Sequence, residues 1–215
     1  MTHRFLQDEV FGRDTEFLIQ IYIEQTKNAN CDILPELEYL AGKYSVERDV
    51  RLGHAVAQHN PRYFVEVGCG LAIPSFTLMK MGITSGEAID RNPEWFQYLE
   101  GMKSRLSLDL NVRLEDFYEW NPDLPEGAFI IAEEPWENPN RVKNLEEDIL
   151  RFVIERGLNL ALLPTRNSVE RSQKSEYEKR FQGYIDRLGS EGYDVTTVDL
   201  SDLEGFDYTT IIAVK

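Results

Sequence analysis

From residue 62 onward the chain alternates short β-rich runs with helical stretches, and this alternation constrains the fold more than any other feature. The runs fall at 63–67, 86–90, 111–114, 128–132, 158–163, 193–198 and 208–214. Between them, helical patterns cover 75–81, 93–107, 142–156 and 169–188. Strands that alternate with helices build a parallel sheet through right-handed crossovers. The last two runs have no helical pattern between them, so they pair through a hairpin-like link over 201–207, and at least one strand runs antiparallel to the rest. Runs before residue 165, such as Ala128-Phe129-Ile130-Ile131-Ala132, are apolar throughout, as strands covered on both faces must be. The expectation is an α/β fold. Its doubly wound, mostly parallel seven-stranded sheet carries helices on both faces and one antiparallel strand near the C-terminus.

The first sixty residues lack a strand pattern. Phe17, Leu18, Ile21 and Tyr22 recur at helical spacing, as do Leu34, Leu37, Leu40 and Ala41. Ser45 reads as the N-cap of a third helix, 46–58, stopped by His59-Asn60-Pro61. The spacing therefore predicts a helical cap over 1–60 and an α/β domain over 61–215, with Tyr22, Tyr39 and Tyr44 candidates to line the cleft between them.

Charge narrows the partners. Lys and Arg total 23 against 38 Asp and Glu, a net charge of −15, which disfavours nucleic-acid backbones and anionic membrane surfaces. Cys31 and Cys69 cannot make a disulfide framework and sit in no metal-binding cluster, so a reducing compartment and no metal are expected. The N-terminal residues lack a signal-peptide core, and no apolar run approaches the roughly 20 residues that span a bilayer. The expected address is the cytoplasm.

The chemistry concentrates where the first strand ends, in Glu66-Val67-Gly68-Cys69-Gly70-Leu71-Ala72-Ile73-Pro74-Ser75. Glycines at 68 and 70 permit a tight turn and close approach of a ligand, and a helix N-terminus follows at once. Open α/β sheets bind nucleotides at this place. Asp90 ends the second strand, where a carboxylate can accept hydrogen bonds from both ribose hydroxyls, and Asp116 follows the third, within reach of an adenine amino group. Three polar points at three successive strand ends describe a slot for a nucleoside. A dinucleotide fits it poorly, because the last position of that fingerprint is Ile73, too large for close helix–strand packing.

Glu66 to Ser75, with Gly86-Glu87-Ala88-Ile89-Asp90-Arg91-Asn92-Pro93-Glu94, resembles the class I S-adenosylmethionine (SAM)-dependent methyltransferase family. That family carries an acid-x-Gly-x-Gly-x-Gly loop, an acidic strand end and a Pro-Glu helix start. The resemblance implies SAM as methyl donor, with Gly68, Cys69 and Gly70 at its methionine portion and Asp90 at its ribose, Arg91 following. It puts Asp116 and Phe117 at the adenine and gives Glu66 the task of ordering the loop. Ala72 replaces the third glycine of the pattern. After the fourth strand, Glu133-Glu134-Pro135-Trp136 matches the amino-group methyltransferase motif Asn/Asp-Pro-Pro-Tyr only at its proline and aromatic residue. Glu133 and Glu134 are the candidate acceptors of a hydrogen bond or proton from a nucleophilic amine, and Trp136 a candidate cation–π wall against the sulfonium. The implied activity is in-line methyl transfer to a small molecule or a protein amino group. A non-catalytic binding module and an aminopropyl transferase using a related sulfonium donor are the alternatives.

Overall fold

The computed structural model describes residues 5–28, 35–133, 145–164, 174–200 and 209–215. Three helices come first: α1 (Leu6–Phe11), α2 (Thr15–Asn28) and α3 (Pro35–Ala57). Strands and helices then alternate through β1 (Phe64–Val67), α4 (Ile73–Lys80), β2 (Gly86–Asp90), α5 (Glu94–Leu106) and β3 (Asn111–Leu114). There follow β4 (Phe129–Glu133), α6 (Leu145–Arg156), β5 (Asn159–Leu163), α7 (Lys174–Ser190), β6 (Asp194–Asp199) and β7 (Thr209–Val214). The seven strands form one sheet in the order β3-β2-β1-β4-β5-β7-β6. All pairs are parallel except those of β7, which runs antiparallel to both β5 and β6. The expected architecture is therefore present, with β7 as the antiparallel strand. The link expected over 201–207 lies outside the described residues.

Successive side chains of a strand point to opposite faces, and each face has its own core. Phe64, Phe129, Ile131, Ala161, Leu163 and Ile212 pack with helices α1 to α5. Their neighbours Val65, Val67, Ile130, Ala132, Leu160 and Leu162 pack with α6 and α7. Every residue of β1 is buried, which explains why its run carries no polar alternation. Glu66 shares the face of Phe64 and so lies under the N-terminal helices.

One expectation is corrected. Ser45 does not cap a third helix: α3 runs unbroken through it for 23 residues. The Ser45 side chain instead lies close to Tyr22 of α2. Gly42, inside α3, marks close packing of the two helices, because a Cβ there would stand 3.0 Å from Ile23 Cγ1. Further along, a Cβ on Gly53 would stand 2.7 Å from the Pro74 carbonyl oxygen and 2.8 Å from Thr77 Cβ. That missing side chain lets α3 lie directly on α4, the helix that opens after the glycine loop.

Glu47 secures the start of the chain. Its side chain is fully buried, and its two oxygens accept the backbone N–H groups of Leu6 (3.0 Å) and Gln7 (2.8 Å), with Arg51 Nε donating at 2.7 Å. A carboxylate at a helix N-terminus satisfies orphan donors and meets the positive end of the helix dipole. Among the described residues no helix is long and apolar enough to cross a membrane. Replacing Glu47 by Ala is expected to cost about 2–4 kcal/mol, since it orphans two amides and a half-buried guanidinium. Urea denaturation checks this, and an unchanged midpoint would remove Glu47 from the anchoring of α1.

Candidate functional site

Parallel pairing sets the tips of β1, β2 and β4 side by side, with Val67 opposite both Ile89 and Ala132. The loop after β1 is tied down by its backbone. Gly68 and Cys69 both donate to the Ile89 carbonyl, at 2.9 and 3.1 Å, and Ala72 donates to the Cys69 carbonyl at 2.6 Å. Gly68 and Gly70 adopt φ of +66° and +48°, a region open to glycine at little cost. A Cβ on either would meet nothing within 4 Å, so the loop borders open space on its Cβ side. Ala72, where the resemblance expects glycine, takes the same left-handed conformation at φ +52°. An L-residue there costs about 1–2 kcal/mol, so the backbone conformation is kept and the strain is accepted.

Two carboxylates hold this loop. Glu66, buried at the end of β1, accepts the Ser75 N–H at 2.9 Å and the Ser75 hydroxyl at 2.5 Å, which clamps the first turn of α4. Asp90 accepts the Gly70 N–H through Oδ2 (2.9 Å) and the Asn92 N–H through Oδ1 (2.8 Å). Burial pushes the Glu66 carboxyl up to about 8, with the hydrogen bonds from Ser75 opposing and the negative charges of Glu133 and Asp90 adding. Asp90 is raised for the same first reason, burial, against the pull of its backbone donors. Cys69 is buried, and burial raises its thiol well above the ordinary range.

At the tip of β4 the sequence reading missed a partner. Glu133 forms an ion pair with Arg48 of α3, and Arg48 Nε also donates to Asp49 Oδ1 at 2.8 Å. All three side chains are at least four-fifths buried. Burial raises the Asp49 carboxyl while Arg48 lowers it, and Glu133 is within hydrogen-bonding reach. Tyr22 adjoins the group, and burial pushes its hydroxyl up to about 12. The one sequence signal was a charged pair, Arg48-Asp49, set among Val46, Val50 and Leu52 on a helix whose apolar residues are buried.

Other candidates are placed as follows. Asp116 caps its own turn, accepting the Tyr118 N–H at 3.1 Å, beside the tip of β3. Phe117 packs in an aromatic group with Trp120 and Phe152, at 6.3 and 5.6 Å between ring centres. Arg91 is exposed. Glu134 and Trp136 lie outside the described residues. Of the cleft tyrosines, Tyr22 reaches the site. Tyr39 is exposed and donates to Glu16 at 3.0 Å, and Tyr44 packs on Phe5.

A carboxyl whose folded-state pKa is raised keeps its proton where the unfolded chain has lost it. Glu66 therefore stabilises the ligand-free fold fully below about 4.5 and loses that contribution as pH rises toward about 8. Glu66→Gln is expected to flatten the fall in stability between pH 5 and 8, measured by thermal unfolding across that range; an unaltered slope would assign the fall to other groups. Ala72→Gly is expected to raise stability by about 1 kcal/mol by relieving the left-handed strain, and a loss in urea denaturation would show the conformation to be otherwise.

No protein-family model matches the chain, and no curated protein matches it in sequence. Solved structures do match in three dimensions. The magnesium protoporphyrin IX methyltransferase of Synechocystis PCC 6803 with bound SAM superposes with a TM-score of 0.55 at 11% identity, over 94% of this chain and 97% of that one. The plantazolicin methyltransferase BpumL in complex with SAH, the demethylated product, gives 0.53 at 10% identity, over 96% and 100%. A methyltransferase from Pyrococcus furiosus gives 0.52 at 16% identity, over 72% and 75%. At such identities the likeness is one of architecture, and the chain has the seven-strand fold of the class I SAM-dependent methyltransferases.

Proposed function

We propose that this protein binds SAM across the tips of β1, β2 and β3 and directs its methyl group to a small molecule or a protein amino group. The observation that carries the reading is the loop at 68–72. Its glycines border open space in positive φ, and two buried acids hold it at a helix N-terminus. The charge at the strand tips supports it too. Asp90, Glu133 and Asp49 gather there with Arg48 and the exposed Arg91, an acidic surround that suits a ligand carrying positive charge. A dinucleotide's pyrophosphate would be repelled.

In this reading the backbone of Gly68, Cys69 and Gly70 lines the methionine portion. Asp90 has spare lone pairs beside those used by Gly70 and Asn92, and these accept the ribose hydroxyls. Asp116 and Phe117 border the adenine, with Arg91 at the rim. Glu133 adjoins the methyl side, the role that the sequence resemblance also offers for Glu134 and Trp136. Bound SAM supplies a methyl group on a positively charged sulfur. The chain's task is to orient and desolvate: Glu66 fixes the loop through Ser75, and α3 covers the tip of β4. Held in line, a nucleophile gains most of its advantage from positioning, and a dedicated base is optional. The net charge of −15 favours a small or protein acceptor over a nucleic acid.

Calorimetry with SAM and SAH tests the binding, and transfer of labelled methyl to pools of amine, hydroxyl and carboxylate acceptors tests the enzyme. Folded protein that gives no heat with either compound overturns the proposal. Asp90→Ala is expected to weaken SAM binding by about 1–3 kcal/mol, the loss of hydrogen bonds to a carboxylate. Unchanged affinity would place the ribose elsewhere.

A further inference from the structure

We propose that Arg48 is a positioning residue for the methyl side of the site: it fixes the Glu133 carboxylate at the tip of β4, so that α3 is a working part of the site as well as its cover. The inference rests on the SAM-binding reading above. Its starting point is an energetic oddity. Arg48, Asp49 and Glu133 are buried beside Val46, Val50 and Leu52, and desolvating such groups costs several kcal/mol per ion. An apolar trio of similar volume would serve stability as well or better, so the charges are better explained by what they hold in place.

The geometry says what is held. The guanidinium grips two carboxylates at once, Nε on Asp49 and Nη2 on Glu133, and a planar fork with two contacts fixes direction where a point charge would not. Both ends of the grip are rigid. Arg48 stands on α3, which lies against α4 through Gly53, and Glu133 ends a buried central strand. Ala132 pairs with Val67, so Glu133 follows at the strand tip beside the start of the loop at 68–72 rather than on a remote face. Aimed by Arg48, the Glu133 carboxylate stabilises positive charge where the donor carries its methyl, and the same charge on an amine that occupies that place.

The test needs no knowledge of the acceptor. SAH is neutral at the reacting position, whereas sinefungin carries a protonated amine there, and the ratio of their affinities by calorimetry reads the charge that the protein presents. Wild-type protein is expected to prefer sinefungin. Glu133→Gln should cut that preference by roughly tenfold or more, the scale of a charged hydrogen bond. Arg48→Met should cut it by a similar factor with SAH affinity kept within about threefold, and the double variant should lose no more than either single one. Arg48→Lys, which keeps the charge and loses the fork, should fall between. An unchanged preference in the Arg48 variants, or in Glu133→Gln, overturns the proposal while leaving SAM binding intact. Should Arg48→Met fail to fold, Arg48→Lys decides, and a wild-type ratio there counts against it. Folded wild-type protein that binds neither compound overturns the underlying functional reading instead.

Discussion

The parallel pairing of β1 between β2 and β4 is the constraint on which the rest depends. It brings three strand tips together at one edge of the sheet, and with them Glu66, Asp90 and Glu133. None of these acids would mean much alone. Adjacent, they surround a loop that two of them hold by its own backbone, through Ser75 and Gly70. The loop is thereby set before any ligand arrives, and a preorganised site is not charged the entropy of ordering it on binding.

The same edge concentrates negative charge in a poorly hydrated place, which the fold tolerates in three ways. Hydrogen bonds from backbone amides satisfy Asp90, a raised pKa lets Glu66 hold a proton, and Arg48 neutralises Glu133.

The N-terminal helices belong to this arrangement physically. They share one core with the Phe64 face of the sheet, and α3 reaches the tip of β4 with a charged side chain. Glu47 binds α1 to α3, Gly53 lets α3 settle on α4, and α4 carries Ser75 to Glu66. A short chain of contacts thus runs from the first described residues to the glycine loop.

The sequence by itself determined the local patterns. Periodicity marked the seven strands and most helices, because burial on two faces leaves apolar runs and burial on one leaves helical stripes. It marked the glycine loop and the acids at 66 and 90, since a tight turn and a strand end restrict residue type at fixed spacing. It misread Ser45 as a cap, because a serine inside a helix, set beside Tyr22 of its neighbour, looks locally like one that starts a helix. It pointed to Glu133 and was silent on Arg48, 85 residues away. Which charge pairs with which is a question of distance in space, and only the stacking of α3 over the sheet decided it.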